Sequence, residues 1–294
     1  MWSRCPSRPQ RCRLTLARLP TRTTASQIIW LNPGHSGGAL YLAAAMANDS
    51  GSPPRRLCQL TTASHVSRLV GPAAVRVFLR PRAAVAALPG HHVDECHQML
   101  DELLPGQFGR AQSIFEVDLA NINAVMDPPG MVCNAGWVEA TGGAFGFYSE
   151  GAGPAVAPVM DAIDGERLAL AERLEVPALP FAALLHQLGF AATSDADDCR
   201  QAIARSELIY PIRSPPTLDH RYLHEDVGWG LVPWMHLAAT GEISMPTVAA
   251  VTHLAGLITG VDYARDGLTR ERMGLAGEPL DAQGIEGTRW PLHA

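Results

Sequence analysis

Two segments about ninety residues apart carry the side chains best suited to chemistry in this chain. In the second of them, HRYLHEDVGWGLVP (His220 to Pro233), a guanidinium, Arg221, precedes two carboxylates, Glu225 and Asp226, at the start of an apolar helical stretch. The first, NINAVMDPPGMVCNAG (Asn121 to Gly136), sets Asp127 before two prolines, and its prolines, glycines and paired asparagines predict a helix broken by an ordered turn. An arginine can grip an organic carboxylate through two parallel hydrogen bonds. Carboxylates beside it can orient a substrate or exchange a proton with it. The set suits a small anionic substrate whose protonation must be managed. Residue types alone also allow blander roles: Arg221 and Asp226 pairing as a surface bridge, and Asp127 opening a turn before proline.

Other chemistry is excluded by composition. All 23 basic residues are arginine, so there is no Schiff-base lysine and no P-loop lysine. Six arginines and no acid lie in Met1–Ser26; the remainder holds 17 arginines against 29 acids, a balance of −12. An acidic body argues against nucleic acid as a partner. No apolar run reaches the roughly 18 residues that span a bilayer, so no membrane association is expected. Six cysteines without a CxxC pair indicate neither zinc nor a disulfide framework, and with the Ala/Gly/Pro/Arg-rich composition they favour the cytoplasm. The cluster His91, His92, Asp94, Glu95, Cys96 and His97 has ligand types, but it coincides with a helix start where acids suit the dipole; no metal site is expected.

These groups must be positioned by two kinds of structure. Over 27–118 the chain alternates short β-rich runs with helices, which predicts a partial Rossmann-like α/β domain with a parallel or mixed sheet. Within it 64–69 reads as a short helix, 74–79 as a strand pairing with 83–88, and 112–118 as a last strand. From 119 to 294 helical periodicity dominates, which predicts an all-helical substrate domain. Met1–Ser26 reads as a disordered Arg-rich leader. Nothing in the chain reads strand–GxGxxG–helix followed by an acid.

From Ile28 onward the chain resembles the opine dehydrogenases of the octopine/nopaline type. The resemblance rests on NPGHSGGAL (Asn32–Leu40), NAVMDPPGMVCNAGWVEATGGAFGFYSEG (Asn123–Gly151), VMDAIDGERLALAERL, HRYLHEDVGWGLVP and MPTVAAVTHLAGLITGVDY with GLTRERMGL, in that order. It implies an oxidoreductase that uses NADH or NADPH to join a 2-oxo acid to the amine of an amino acid by reducing an imine. It implies that Arg221 binds the oxo acid's carboxylate, that Asp226 is the partner carboxylate, and that Gly34, Gly37 and Gly38 lie beside the cofactor. Asn121, Asn123 and above all Asn134 suit contacts to the nicotinamide amide or to polar groups of the substrate, and equally hydrogen bonding at a helix break. A different member of the same two-domain dehydrogenase group, such as a ketopantoate- or glycerol phosphate-type reductase, is disfavoured by the lack of lysine.

This chain departs from the family at Asp127, where the pattern has a catalytic histidine before the proline. Asp127 works as an acid only if burial and Asp226 raise its pKa; otherwise another imidazole, His220 or His224, substitutes, or catalysis is impaired and the chain only binds a carboxylate or a subunit. The family's first βαβ unit is also missing from the sequence. NAD or NADP binding is therefore expected to be weak, and the exposed apolar edge is expected to seek a partner, such as a second copy in a homodimer.

Overall fold

Sheet A is small and mixed in direction. In the computed structural model, which describes residues 27–50 and 56–275, its strands are β1 (Ile29–Leu31), β2 (Leu57–Leu60), β5 (Ala84–Leu88) and β6 (Gly109–Arg110), in the order β1-β2-β5-β6. β1 runs parallel to β2 and β6 parallel to β5, whereas β2 and β5 are antiparallel. The leader expected over 1–26 lies outside the described residues.

Alternation along the strands divides two cores. Leu57, Ala86 and Leu88 join a cluster with Ala39 and Leu40 of helix α1 (Gly38–Ser50) and Phe115. Cys58, Leu60, Val85 and Ala87 face the other way, onto Cys96 and Leu100 of helix α2 (Val93–Leu103) and onto Phe108. Leu57, Leu60 and Leu100 are at most 1% exposed, and each such side chain contributes about 1.5–3 kcal/mol by leaving water.

Three expectations from the sequence differ from the structure. Residues 64–69 are not helical: β3 (Val66–Gly71) and β4 (Ala74–Leu79) form a separate antiparallel hairpin, so 74–79 pairs with 66–71 rather than with 83–88. Its β-branched residues and the Gly71-Pro72 turn are the physical cause. Residues 112–118 do not form a strand either. Ser113 caps helix α3 (Ile114–Leu119) by accepting from the Glu116 amide, while the Glu116 carboxylate accepts from the Gln112 amide, a close variant of the capping box.

From Ile114 the regular elements among the described residues are all helices, joined by turns and loops, with one isolated bridge, Gly146 with Arg213. The helices are α4 (Ile122–Cys133), α5 (Ala135–Thr141), α6 (Ala157–Arg173), α7 (Phe181–Leu188), α8 (Cys199–Ala204), α9 (Arg221–His224), α10 (Val232–Thr240), α11 (Pro246–Thr259) and α12 (Tyr263–Asp266), with a π-helical turn, Val227–Leu231, between α9 and α10. The larger hydrophobic cluster runs without a break from Leu57 and Leu88 in the sheet to Met160, Leu170 and Trp234 among the helices. Inside it Arg167 is 1% exposed and fully engaged, bonding Asp164 and the Leu119 and Leu179 carbonyls, as a buried charge must be.

Candidate active site

Helix α4 is the spine of the site. It continues through Pro128 and Pro129, where the sequence predicted a break. The break comes later, at Asn134, whose side-chain amide donates to the Gly130 and Gly151 carbonyls. The first of these bonds takes over a helix carbonyl four residues back; the second ties α4 to the segment just after Tyr148. Asn134 thus stands two turns beyond Asp127, about 10 Å along the helix, with its donors on backbone.

Glycine lets two elements press on α4. A Cβ on Gly130 would lie 2.8 Å from the Phe147 ring, and one on Gly230 would lie 2.9 Å from the Ala124 Cβ. The first contact brings FGFY (Phe145–Tyr148) down onto the helix. The second seats the π-helical turn, whose i→i+5 bond from the Leu231 amide reaches the Asp226 carbonyl; such turns often mark functional positions.

Those contacts bring Asp127 and Asp226 within hydrogen-bonding reach of each other, both at most 1% exposed. The Tyr148 hydroxyl donates to Asp127 Oδ1. Burial, then the Asp226 charge, push the Asp127 carboxyl well above its ordinary range, against the opposing pull of the Tyr148 hydrogen bond and Arg221. Two carboxylates so placed favour holding one proton between them over ionising together. Burial and the neighbouring Asp127 likewise raise the Tyr148 phenol.

Arg221 forms the solvent-facing side. Its side chain is 43% exposed, its Nε lies 3.7 Å from Glu225 Oε2, and its guanidinium sits 5.9 Å from the centre of the Tyr222 ring. Tyr222 packs against Phe147 and His220, at 5.1 and 4.5 Å between ring centres, giving an aromatic wall beside the cation. His220 caps α9 by accepting from the Tyr222 amide. His224 is turned to Asp219 and the Tyr263 hydroxyl.

The loop Asn32–Gly38 completes the group from the sheet side. His35 Nε2 pairs with Glu225 Oε1. Ser36 donates from its amide to the Trp229 carbonyl and from its hydroxyl to the Asp118 carbonyl. Gln59 donates to both the His35 carbonyl and Asp118 Oδ1. Burial raises the Asp118 carboxyl to about 7. Sequence reasoning missed His35 and Asp118, because their partners lie far away along the chain.

The glycines of that loop press on protein. A Cβ at Gly34 would strike the Gln59 side chain at 2.2 Å, one at Gly37 would meet Met273 Sδ at 2.7 Å, and one at Gly38 would lie 3.5 Å from Gln59 Oε1. The first two contacts account for Gly34 and Gly37, whereas that at Gly38 is an ordinary van der Waals distance. Beside the loop runs a narrow cleft of about 30 Å³ lined by Pro33, His35, Thr61, Thr62, Asn121 and Asn123, whose hydroxyl and amide groups suit the amide end of a nicotinamide.

Known proteins resemble this chain in sequence and in fold. Residues 110–259, just over half the chain, match the family model for the α-helical domain of NAD/NADP octopine/nopaline dehydrogenases. An opine dehydrogenase of Arthrobacter sp. (strain 1C) is 28% identical over 270 residues, covering 92% of this chain and 73% of the relative. A vitopine synthase of Allorhizobium ampelinum is 24% identical over 230 residues, covering 76% of this chain and 61% of that protein. Octopine dehydrogenase in its NADH–pyruvate complex shares the fold, with a TM-score of 0.70 at 17% identity over 93% of this chain and 74% of that one. NADP⁺-bound yersinopine dehydrogenase does so with a TM-score of 0.68 at 13% identity, covering 95% and 73%. This chain belongs to the NAD/NADP octopine/nopaline dehydrogenase family.

Proposed function

We propose that this chain joins a 2-oxo acid to the amine of an amino acid, using NADH or NADPH to reduce the imine that forms between them. The observation that carries the reading is the buried Asp127–Asp226 pair with Arg221 on its solvent side. Arg221 holds the oxo acid's carboxylate, which fixes the carbonyl beside the pair. The pair, holding one proton between its two carboxyls, protonates the carbonyl oxygen as the carbon–nitrogen bond forms. Asp127 thereby does the work of the histidine found at its position in the family pattern. The bound cofactor supplies the hydride; Thr61, Thr62, Asn121 and Asn123 would meet its amide end.

Support for the partners comes from the relatives. Octopine dehydrogenase is known in complexes with NADH and L-arginine and with NADH and pyruvate, so pyruvate with L-arginine is the first pair to assay. The buried position of Asp127 also favours a second reading, carboxylate binding without turnover. We place the chain in the cytoplasm, where free thiols such as the exposed Cys133 persist. A homodimer belongs to the same reading: Leu254 and Leu257 of α11, 46% and 68% exposed, offer a second copy an apolar surface. Among the described residues no helix is long and apolar enough to cross a membrane.

The test is product formation. Purified chain with excess NADH or NADPH, pyruvate and single amino acids should yield the secondary amine by mass spectrometry, carrying label from both substrates. Binding of pyruvate with no such product from any amino acid would decide for the second reading.

A further inference from the structure

The imine-forming reaction asks for a second proton-handling group. An amino acid arrives as an ammonium, which has no lone pair to attack a carbonyl, so something must remove a proton before the acid can act on the oxygen. The carboxylate pair that protonates oxygen is poorly placed to do both at once.

One imidazole meets the requirement. His35 pairs through Nε2 with Glu225 Oε1, while Glu225 Oε2 faces Arg221. A single carboxylate, itself 4% exposed, therefore joins the imidazole to the substrate-binding guanidinium. The His35 side chain is 23% exposed and lines the narrow cleft with Asn121 and Asn123, at the start of the helix that carries Asp127. Its backbone is left-handed, with φ 55°. That conformation is costly for a residue with a side chain, and such outliers gather at functional positions. With Gly34 and Gly37 in the same loop, a glycine would have been the unstrained choice.

We infer that His35, held by Glu225, is the general base that accepts the amine's proton. The inference rests on the reductive-condensation reading above. The ammonium gives one proton to the imidazole. The freed lone pair forms the C–N bond, the carbonyl π pair moves onto oxygen, and that oxygen takes a proton from the Asp127–Asp226 pair, which recovers it from nitrogen. The imidazolium then gives its proton to the hydroxyl, which leaves as water. The resulting iminium carries the charge that the ammonium brought in, so atoms and charge balance. The charged groups around His35 are Glu225 and Arg221 of the α9 segment, Asp226 next to them, and Asp118 beneath the loop, reached through Gln59.

The experiment compares wild type, His35→Gln, His35→Ala and Glu225→Gln as full chains. Carbon-13 histidine NMR, with His35 identified by its loss in His35→Gln, should show the imidazole titrating between about pH 6 and 8, with the midpoint moved to lower pH in Glu225→Gln. In the assay His35→Gln should lower kcat/KM for the amine at least about tenfold, most at low pH, with KM for the oxo acid unchanged. A latch without proton transfer would instead lower the thermal midpoint of both His35 variants and leave the pH profile as in wild type. The role is overturned if His35 keeps one ionisation state across that range, or if His35→Gln stays within about twofold of wild type at every pH. Absence of product from wild type sinks the reaction reading together with this role, whereas product from wild type and undiminished product from His35→Gln sink the role alone.

Discussion

Gly230 lies against Ala124 so closely that a Cβ on the glycine would sit 2.9 Å from that of the alanine. This contact sets the distance between the two lobes of the site, because Asp226 opens the turn that Gly230 belongs to and Asp127 sits one turn along from Ala124. Gly230→Ala must push the turn away from α4. Overpacking of this kind costs about 1–3 kcal/mol, which chemical denaturation would register. Turnover should fall by more than the loss of folded protein explains, since a displacement of under an ångström separates the carboxylates.

Arg221 is predicted to act on binding more than on chemistry. Arg221→Gln removes a charge-assisted contact worth about 1.5–3 kcal/mol, so KM for the oxo acid should rise roughly 10–100-fold with a smaller change in kcat. Arg221→Lys should recover only part of this, because an ammonium lacks the planar fork. Steady-state kinetics with varied pyruvate decides between them.

The raised Asp127 carboxyl fixes the sign of the pH dependence. A raised pKa means the protonated, acid-competent form persists to higher pH, and kcat falls as pH climbs through that value. Tyr148→Phe removes a hydrogen bond that favours the ionised form, so the falling limb should move to higher pH. A limb that moves lower, or stays in place, would contradict the assigned donor.

Asp118 makes a separate prediction about stability. Its carboxyl goes from an ordinary 3.8 to about 7 on burial, so the folded state binds its proton more tightly than the unfolded chain. That contribution is complete below the unfolded pKa and is lost as pH rises toward the folded value. Asp118→Asn should therefore flatten the fall in stability over this window, as read by urea unfolding across pH, while keeping an oxygen to accept from Gln59.

Much of this architecture was legible in the chain, and the gaps have physical causes. Phe181–Leu188 and Pro246–Thr259 could be read because they have helical apolar spacing and an end glycine in the left-handed region. Arg221, Glu225 and Asp226 fall together because they share one helix start. The hairpin at Val66–Leu79 was misread because its apolar residues face solvent: Leu69 is 71% and Val75 60% exposed, so no burial pattern reinforces the strands. The helix at Ile114–Leu119 was hidden by β-branched and aromatic residues, although Ser113 and Glu116 carried its cap. No local spacing could have joined His35 to Glu225, since only the packing of the loop on the π-helical turn brings them together.

The central claim is that Asp127 and Asp226 hold one proton between them at neutral pH. Carbon-13 NMR of aspartate carboxyl groups, with the two signals assigned by Asp127→Asn and Asp226→Asn, measures this without substrate or cofactor. One carboxyl of the pair should remain protonated through about pH 7, and replacing either residue should drop the other's midpoint toward the ordinary range. Two fully ionised carboxylates at that pH would contradict the account.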